Sequence, residues 1–310
     1  MLPLIRRAAV VLALAVAPLA AAAELGPLID PAGLQQADGA VVLDIRSPEA
    51  FEQGHIPGAR NAPYGLFRGP SDNPGELVSE GHLTEVFRAR GMMTEMPVVV
   101  VHQGTNQTDF GAAARVYWTL KSSGFGDLAV LNGGMSGWQE AGGPVETGGG
   151  SDVAPSEISV SFSDAWLATR SEVQDIVEGR DSAKLVDARP EAFWNGKTKH
   201  GAAARPGTIP QSQYFTHSRW FGPDAPARIE PDLVRRLAAE NGFEADDRLV
   251  SFCNTGHWAA TNWFALSEIA GIEEVKLYPE SVVGWSNAGL EMANVPGLVQ
   301  NMINKIFGRY

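Results

Sequence analysis

The chain contains one sequence pattern twice, which restricts it to folds built from two related domains. Residues 41–59, VVLDIRSPEAFEQGHIPGA, correspond to residues 184–212, KLVDARPEAFWNGKTKHGAAARPGTIPQS. In both, a short apolar run leads into Asp-x-Arg and Pro-Glu-Ala-Phe, and Ile-Pro follows; the second copy is ten residues longer between the Asp and the Ile. Two more pairs follow in the same order, residues 96–104 with 247–256 and Gly137-Trp138 with Gly284-Trp285. This ordered agreement indicates an internal duplication.

The boundaries of the two copies follow from the segment between them. Residues 142–156, GGPVETGGGSDVAPS, are rich in Gly, Pro and Ser, which is typical of a linker. We therefore expect an N-terminal domain over residues 24–146, a linker over 147–157 and a C-terminal domain over 158–310. Residues 296–310 carry apolar side chains at helical spacing, so a helical tail is expected to pack on the second domain, with docking to a partner or a membrane as the alternative.

Within each copy, short apolar runs alternate with helical patterns. The predicted strands are residues 41–45, 98–101 and 128–131 in the first copy and 185–187, 249–252 and 274–277 in the second. The predicted helices are residues 112–122, 232–240 and 259–269. This alternation predicts two α/β domains, each with a mainly parallel sheet flanked by helices. In such domains functional side chains lie in loops at the carboxyl ends of the strands.

Residues 1–23 have the pattern of a secretory signal peptide. Arg6 and Arg7 precede an apolar stretch, and small residues lead to a cleavage site before Glu24. A membrane anchor is the alternative, but the 16 uncharged residues from 8 to 23 are fewer than the ~20 that span a bilayer. We therefore expect export to a bacterial periplasm without stable membrane insertion. The formal net charge of −12 argues against nucleic-acid binding, which draws on a basic surface.

Cys253 is the only cysteine among the 310 residues, so the chain has no internal disulfide. It stands between a predicted strand and a predicted helix, in the loop CNTGHW at residues 253–258. A tight turn at this position directs backbone N–H groups and the positive end of a helix toward one centre, where they stabilise a thiolate or a bound anion. Gly256 allows the turn a positive φ or a close backbone approach. The pattern favours a nucleophilic cysteine over a buried structural thiol.

Three other uses of a loop cysteine lack the residues that they need. A phosphatase-type anion loop places Arg six residues after the cysteine, where this chain has Ala259. A thiol redox centre normally uses a second, resolving cysteine. A zinc site built on Cys253 and His257 needs two further ligands, for which the sequence carries no signal. No metal or organic cofactor is implied.

Taken together, these features resemble the rhodanese family, the thiosulfate and mercaptopyruvate sulfurtransferases. The resemblance rests on Asp-x-Arg after a strand, Gly-x-Ile-Pro-Gly-Ala at residues 54–59, the linker, and a six-residue Cys-x-x-Gly loop. It covers nearly all of the mature chain as a tandem pair of rhodanese domains. It implies that Cys253 carries a persulfide between a small anionic sulfur donor and a nucleophilic acceptor, such as cyanide or a thiol. The loop residues that would hold the substrate are Asn254, Thr255, Gly256, His257 and Trp258.

In tandem members of that family the C-terminal copy is usually the active one, which agrees with the position of Cys253. His102 stands where the first copy would carry its cysteine, so the N-terminal domain is expected to be catalytically silent. Asn254-Thr255 after the cysteine differs from both common patterns, the basic residues of thiosulfate-selective members and the Gly-Ser-Gly of mercaptopyruvate-selective ones. The loop alone therefore leaves the choice of donor open.

The donor is expected to depend on positive charge near the loop, which itself contains no Lys or Arg. Residues 196–220 contain four Lys or Arg, two His and no acid, so we expect them to steer an anionic donor, with Arg205 in contact; a solvated basic loop is the alternative. Arg189 is expected to pair with Asp187 at a strand end, and it is also a candidate to face the substrate. Thiosulfate is the expected donor. The alternatives are 3-mercaptopyruvate and a non-enzymatic sulfur carrier or interaction module.

Overall fold

The structure, a computed structural model, describes residues 24–150 and 152–297. The predicted signal peptide and almost all of the predicted C-terminal tail lie outside the described residues. The described strands are β1 (Leu28–Ile29), β2 (Val41–Asp44), β3 (Arg60–Asn61), β4 (Val98–Val101), β5 (Leu128–Leu131), β6 (Lys184–Asp187), β7 (Gln213–Tyr214), β8 (Arg248–Phe252) and β9 (Glu274–Leu277). The described α-helices are α1 (Pro31–Gln36), α2 (Pro48–Gln53), α3 (Glu80–Arg88), α4 (Gln107–Ser122), α5 (Gly134–Glu140), α6 (Arg170–Val177), α7 (Glu191–Trp194), α8 (Pro231–Glu240), α9 (Trp258–Trp263) and α10 (Ser281–Asn287).

The strands form two sheets in which every strand pair is parallel. The first sheet has the order β1-β5-β4-β2-β3, and the second has the order β7-β6-β8-β9. Read from the opposite edge, the second order repeats β5-β4-β2-β3 of the first. The place of β1 is taken by one isolated parallel bridge between Leu167 and Leu277. These sheets confirm the predicted fold class and the duplication.

Helix α4 of the N-terminal domain is largely buried because both domains cover it. Its N-terminus is fixed by Asn106, whose side chain accepts hydrogen bonds from the backbone N–H groups of Thr108 and Asp109. Its residues pack on the first sheet and on α9 of the C-terminal domain. One hydrophobic cluster therefore contains side chains from both domains, including Phe110, Trp118 and Phe264. Burial of this continuous apolar surface holds the two domains together.

The predicted strands agree with the structure to within one residue at each end, whereas two helices differ from prediction. Helix α4 begins at Gln107 rather than at residue 112. The prediction missed its first turn because that turn is polar and carries no apolar periodicity. The predicted helix over 259–269 is α-helical only as α9, and Phe264–Ile269 continues as a π-helix. The wider π-helical turn is a departure that hydrophobic spacing does not reveal.

The linker and the residues on either side of it dock on the N-terminal domain. Within the linker, the Gly148 N–H donates to the carbonyl of Glu52, and the Ser156 N–H donates to the carbonyl of Arg88. Glu146 forms an antiparallel bridge with His55, and its carboxylate accepts hydrogen bonds from the backbone of Gly58 and from the ring of His55. Farther along, the chain runs past α3, where Val160 N–H donates to Thr84 Oγ1 and Phe162 N–H donates to Glu80 Oε1. The chain therefore stays in contact with the N-terminal domain at least as far as Ser163, whose N–H donates to the carbonyl of Ser122. Across the described residues, no helix combines the length and the apolar character that crossing a bilayer requires.

Candidate active site

Cys253 lies directly after β8, at the carboxyl end of a central strand of the second sheet, as the sequence predicts. The thiol is buried, with 1% of the residue exposed. The carbonyl groups of Cys253 and Asn254 accept hydrogen bonds from the N–H groups of Val282 and Val283 in α10, at 3.1 and 3.0 Å. The loop is therefore held in place by α10, the helix that follows the neighbouring strand β9.

The Ser281 hydroxyl organises the inside of the loop. Its Oγ accepts hydrogen bonds from the N–H groups of Cys253 (3.0 Å) and Gly256 (3.1 Å) and donates to the carbonyl of Tyr278 (2.8 Å). Ser281 has φ of 52°, which aims its side chain into the turn at a conformational cost. Two of the loop amides are thus occupied by a protein acceptor. The sequence analysis missed Ser281, which lies 28 residues after Cys253.

Three other loop amides remain available to an anion. Among the described residues, the N–H groups of Asn254, Thr255 and His257 have no hydrogen-bond acceptor. Asn254 and Thr255 are also buried, at 4% and 7% exposure. A buried N–H group without an acceptor is costly, so it favours a ligand that accepts a hydrogen bond. The loop is suited to hold negative charge beside the sulfur atom.

A cavity of about 210 Å³ opens at the loop. Its lining residues come from both domains: Arg68, Thr108, His200, Cys253, Asn254, Thr255, His257 and Trp258. Five of the six predicted loop residues therefore meet at one cavity. Gly256, the sixth, faces the opposite side, where an added Cβ would lie 2.4 Å from Nη1 of Arg115. The volume suits a small molecule rather than a polymer.

His257 is held by the N-terminal domain rather than free to bind an anion. Its Nδ1 accepts a hydrogen bond from the Tyr64 hydroxyl (2.8 Å), and its Nε2–H donates to the carbonyl of Thr108 (2.9 Å). Burial, and then the nearby charge of Arg68, lowers the pKa of His257 to about 3. The imidazole is therefore neutral at physiological pH, with both nitrogen atoms engaged. His257 therefore supplies no positive charge to the cavity at that pH.

Trp258 lines the cavity and also packs on the C-terminal domain. Its ring stacks on His217 with centroids 4.9 Å apart and planes 5° apart. Its indole Nε1–H donates to Thr108 Oγ1 at 3.3 Å, so Trp258 closes the cavity against α4. Burial lowers the pKa of His217 to about 4, which keeps this stacked partner neutral.

Arg189 supports the loop from outside the cavity. Its guanidinium pairs with both carboxylate oxygens of Asp187, donates to the carbonyl of Gly207 (2.9 Å), and reaches the side-chain oxygen of Asn254 (3.3 Å). Arg189 is 1% exposed and does not line the cavity. The predicted ion pair with Asp187 is confirmed, and the contact with Asn254 links that pair to the loop. The structure gives Arg189 no direct path to a ligand.

The basic stretch over residues 196–220 reaches the cavity at one residue only. His200 lines the cavity, and burial, followed by the charge of Arg68, lowers its pKa. Arg205, the residue expected to contact the donor, instead donates to the carbonyl of Leu290 and is not part of the cavity wall. Lys199 donates to the carbonyl of Ala203. Arg205 and Lys199 are thus bound to carbonyl groups of their own domain.

Two arginines of the N-terminal domain stand around the loop instead. Arg68 lines the cavity, directly after the short 3₁₀ helix Tyr64–Phe67. Arg115 of α4 lies behind the loop, where its Nη1 donates to the carbonyl of Gly256 at 3.2 Å. Burial, followed by repulsion from Arg68, lowers the pKa of Arg115 to about 9, so it stays mostly protonated at neutral pH. The sequence analysis missed both, because neither is close to Cys253 along the chain.

The first copy contains the same framework without the thiol. Arg46 pairs with Asp44 and donates to the carbonyl of Gly54 and to the side chain of Gln103, as Arg189 does to Asp187, Gly207 and Asn254. His102 precedes Gln103 just as Cys253 precedes Asn254. Burial lowers the pKa of His102 to about 4. A neutral, 1% exposed imidazole therefore occupies the position of the nucleophile.

Among the described residues, no group of three or more His, Cys, Asp and Glu side chains has the arrangement of a metal site. The site brings together one thiol, loop amides without an acceptor among the described residues, and positive charge from the N-terminal domain. These groups suit nucleophilic attack by sulfur on an anionic ligand.

Several known proteins are similar to the chain over most of its length. A thiosulfate sulfurtransferase of Azotobacter vinelandii is 28% identical over 86% of this chain and 96% of its own length. The sulfur carrier protein TtuD of Thermus thermophilus is 27% identical over 76% of this chain and 84% of its own. The crystal structure of SseA from Escherichia coli, described as a 3-mercaptopyruvate sulfotransferase with the rhodanese fold, matches with a TM-score of 0.69 and 21% identity over 82% of this chain and 97% of its own.

The family model of the rhodanese-like domain matches the chain twice, over residues 31–141 and 169–288. The two matches contain all the described helices and all the described strands except β1. The second match contains the cysteine loop, and the first contains His102 at the corresponding position. The chain therefore belongs to the rhodanese family, as a tandem protein with two copies of the rhodanese-like domain.

Proposed function

We propose that this protein is a sulfurtransferase that moves sulfane sulfur from thiosulfate through a persulfide on Cys253. The observation that carries the proposal is the position of its one thiol in a cavity wall, beside amides that have no other acceptor among the described residues. The thiosulfate sulfurtransferase of Azotobacter vinelandii supports the choice of donor by its similarity. The small volume of the cavity, about 210 Å³, also favours a compact donor.

In the proposed first half-reaction, the Cys253 thiolate attacks the outer sulfur of thiosulfate. A new S–S bond forms to the protein, the S–S bond of thiosulfate breaks, and its electron pair leaves with sulfite. The N–H groups of Asn254, Thr255 and His257 stabilise the negative charge of the resulting persulfide. Arg115 adds positive charge behind the loop through its contact with Gly256. These groups are in place before the reaction, so little reorganisation is required.

In the second half-reaction, a nucleophilic acceptor attacks the terminal sulfur of the persulfide. With cyanide the product is thiocyanate, and with a thiol it is a new persulfide. The electron pair of the broken S–S bond returns to Cys253 as the thiolate. The cycle is redox-neutral and needs no cofactor.

Two other candidates are favoured by specific relatives. SseA of Escherichia coli is described as a 3-mercaptopyruvate sulfotransferase, and TtuD of Thermus thermophilus as a sulfur carrier protein. Mercaptopyruvate as the donor would retain Cys253 chemistry but place a carboxylate in the cavity. A carrier would accept sulfur on Cys253 without turnover of any small donor.

Initial rates distinguish these candidates. With cyanide as the acceptor, kcat/KM for thiosulfate is expected to exceed kcat/KM for 3-mercaptopyruvate, and Cys253→Ser is expected to abolish both activities without loss of fold. His102→Ala is expected to stay within a few-fold of wild type, because the N-terminal domain is proposed to be silent. A higher kcat/KM for 3-mercaptopyruvate would identify that compound as the donor in place of thiosulfate. The absence of turnover with both donors would favour the sulfur carrier.

We also propose that residues 1–23 direct the protein to the periplasm. The support is the sequence pattern alone, two arginines, an apolar stretch and a small-residue cleavage site. Mass spectrometry of protein recovered from the periplasmic fraction of a producing bacterium is expected to find a chain that begins near Glu24. Full-length protein confined to the cytoplasm would contradict export.

A further inference from the structure

We propose that Arg68, a residue of the N-terminal domain, binds the anionic end of the sulfur donor in the active site of the C-terminal domain. Arg68 lines the same cavity as Cys253. Its preference for an anion follows from its charge and surroundings. The identity of that anion as a sulfur donor rests on the proposed function.

The charge of Arg68 is not neutralised by the protein. Within the described residues no carboxylate pairs with it, and its Nη1 is buried without any hydrogen-bond partner. The guanidinium carbon Cζ lies over the ring of Tyr64, 5.3 Å from the centroid. Arg189, by contrast, is fully engaged by Asp187, Gly207 and Asn254. A buried donor on a cation without a partner is costly unless a ligand accepts from it.

Arg68 is also the principal cation of the cavity wall. The other basic groups in the lining are His200 and His257, and for both the pKa is lowered by burial and then by the charge of Arg68. Both shifts disfavour a positive charge on these imidazoles beside the Arg68 guanidinium. The loop itself has no Lys or Arg. An anionic ligand in this cavity therefore meets its charge complement on the opposite domain.

The duplication provides an internal comparison. Arg68 follows the 3₁₀ helix Tyr64–Phe67 of the first copy, and Phe221 follows the corresponding 3₁₀ helix His217–Trp220 of the second. Phe221 reaches across to Phe110 of the N-terminal domain, 5.5 Å between ring centroids, and Phe110 in turn contacts His102. In both copies this position thus faces the other domain. The residue at this position is a cation beside the cavity of the thiol in one case, and in the other an apolar ring separated from the imidazole of the silent copy by Phe110.

The chemistry of guanidinium suits this task. Its planar fork can donate two hydrogen bonds to two oxygens of a sulfonate or carboxylate group, which a lysine ammonium cannot do in the same geometry. In the proposed reaction the negative charge of thiosulfate becomes concentrated on the departing sulfite oxygens. Arg68 would bind those oxygens while the loop amides hold the transferred sulfur. The silent domain is then part of the binding site for the donor.

Alkylation of the single cysteine tests the charge of the cavity without using sulfur transfer. Iodoacetate and iodoacetamide differ chiefly in the charge of one end, so the ratio of their rates with Cys253 cancels changes in thiol reactivity. Intact mass measures both rates, since the chain has one cysteine. The iodoacetate-to-iodoacetamide ratio is expected to be higher in the folded wild type than in the same chain in urea. Arg68→Gln is expected to lower the folded ratio about tenfold, the factor for losing a charge-assisted contact.

Two variants control this measurement. Arg235 lies on α8, where its side chain is more than half exposed and pairs with Asp232. Arg235→Gln removes the same charge at this distant position and is expected to leave the ratio unchanged. Arg68→Lys keeps the charge and is expected to retain most of the ratio. An unchanged ratio in Arg68→Gln, or equal ratios in folded and urea-unfolded wild type, would overturn the proposal even if one variant failed to fold.

The donor itself supplies the second measurement. The thiosulfate concentration that gives half-maximal persulfide formation is expected to rise about tenfold in Arg68→Gln, with a smaller change in the maximal rate. A direct contact predicts that the increase persists at high ionic strength. If wild-type Cys253 formed no persulfide, the proposed function would fail while the alkylation ratio still decided the role of Arg68. Normal saturation by thiosulfate in Arg68→Gln would overturn that role alone.

Discussion

Gly256 fixes the conformation of the loop that carries Cys253. Its φ is 67°, in the left-handed region that side chains disfavour. A Cβ on this residue would lie 2.4 Å from Nη1 of Arg115 and 2.6 Å from the carbonyl oxygen of Pro279. The loop is therefore pressed between the backbone of its own domain and an arginine of the other. Glycine is required here both for the dihedral angle and for space.

Gly256→Ala is expected to destabilise the fold and to impair persulfide formation. Left-handed strain costs about 1–2 kcal/mol, and overlap with Arg115 and Pro279 adds about 1–3 kcal/mol. Gly271→Ala is the matched control, because Gly271 has a similar φ of 76° but nothing within 4 Å of the added Cβ. Urea unfolding and single-turnover persulfide formation would be measured for both. Equal losses of stability and rate in the two variants would contradict a specific role for the space around Gly256.

Single residues were predictable from the sequence where their partners are close in the chain. Cys253 and the pair of Asp187 and Arg189 belong to local motifs at strand ends, so their positions follow from strand order. Ser281 and Arg68 come from distant segments, and only the folded domains bring them to the loop. The position expected for Arg205 depended on the path of a ten-residue insertion, which composition does not determine.

At the level of secondary structure, α4 and α9 form the main junction between the domains, and the π-helical segment that follows α9 extends it. Glu268 in the π-helical segment accepts hydrogen bonds from the Tyr117 hydroxyl and the Lys121 ammonium of α4, all at 2.8 Å. The Glu268 side chain is 8% exposed and that of Lys121 is 26% exposed. This partly buried ion pair fixes the register of the two helices, and through α4 it fixes Arg115 behind the active-site loop.

Glu268→Ala is expected to lower the free energy of unfolding by about 3 kcal/mol, because it leaves the Tyr117 hydroxyl and the Lys121 charge without their acceptor at a buried junction. Asp232→Ala breaks an exposed pair with Arg235 and is expected to change the free energy by less than about 1 kcal/mol. Urea denaturation of the two variants would measure the difference. A Glu268→Ala protein as stable as Asp232→Ala would contradict a structural role for this junction.

The central strands were predictable because both faces of their sheets are covered, which produces continuous apolar runs such as Val98–Val101. The edge strands β1, β3 and β7 were not predicted, since two residues carry no periodicity. Helix α10 was missed because its position depends on contacts with the cysteine loop. The central strands were therefore easier to predict from the sequence than the edge strands and helix α10.

For the whole molecule, the duplication predicted two domains but not how they meet. The sequence shows no contact between the copies, whereas in the structure Tyr64 bonds to His257 and Arg115 bonds to Gly256 across the junction. The cavity at Cys253 is lined by both domains. The N-terminal domain, which contains no cysteine, thus forms one wall of the cavity and supplies the positive charges of Arg68 and Arg115.

Buried neutral histidines make the stability of the whole molecule depend on pH. Burial lowers the pKa of His102 in one domain and of His217 in the other to about 4, below the ~6.5 of an unfolded chain. Between these values the unfolded state binds more protons, so stability rises with pH. Each histidine is expected to add up to about 1.4 kcal/mol per pH unit between roughly pH 4 and 6.5, and nothing further above that window.

The free energy of unfolding, measured by urea denaturation from pH 4.5 to 8, is expected to fall on the acid side of pH 6.5. His217→Phe keeps a ring against Trp258 but removes the titrating group, so its slope below pH 6.5 is expected to be shallower than that of wild type. Its absolute stability also changes, because the hydrogen bond to the Ala188 carbonyl is lost. Identical slopes in the two proteins would contradict the predicted titration of His217.

The chemistry proposed for Cys253 is tested most directly by the intact mass of the protein after exposure to thiosulfate. The mass is expected to increase by one sulfur atom, cyanide is expected to remove that atom, and Cys253→Ser is expected to show no change. With a single cysteine in the chain, the added sulfur has one site for a persulfide. A wild-type protein that gains no sulfur from thiosulfate or from 3-mercaptopyruvate, while folded and with a free thiol, would contradict sulfur transfer through Cys253.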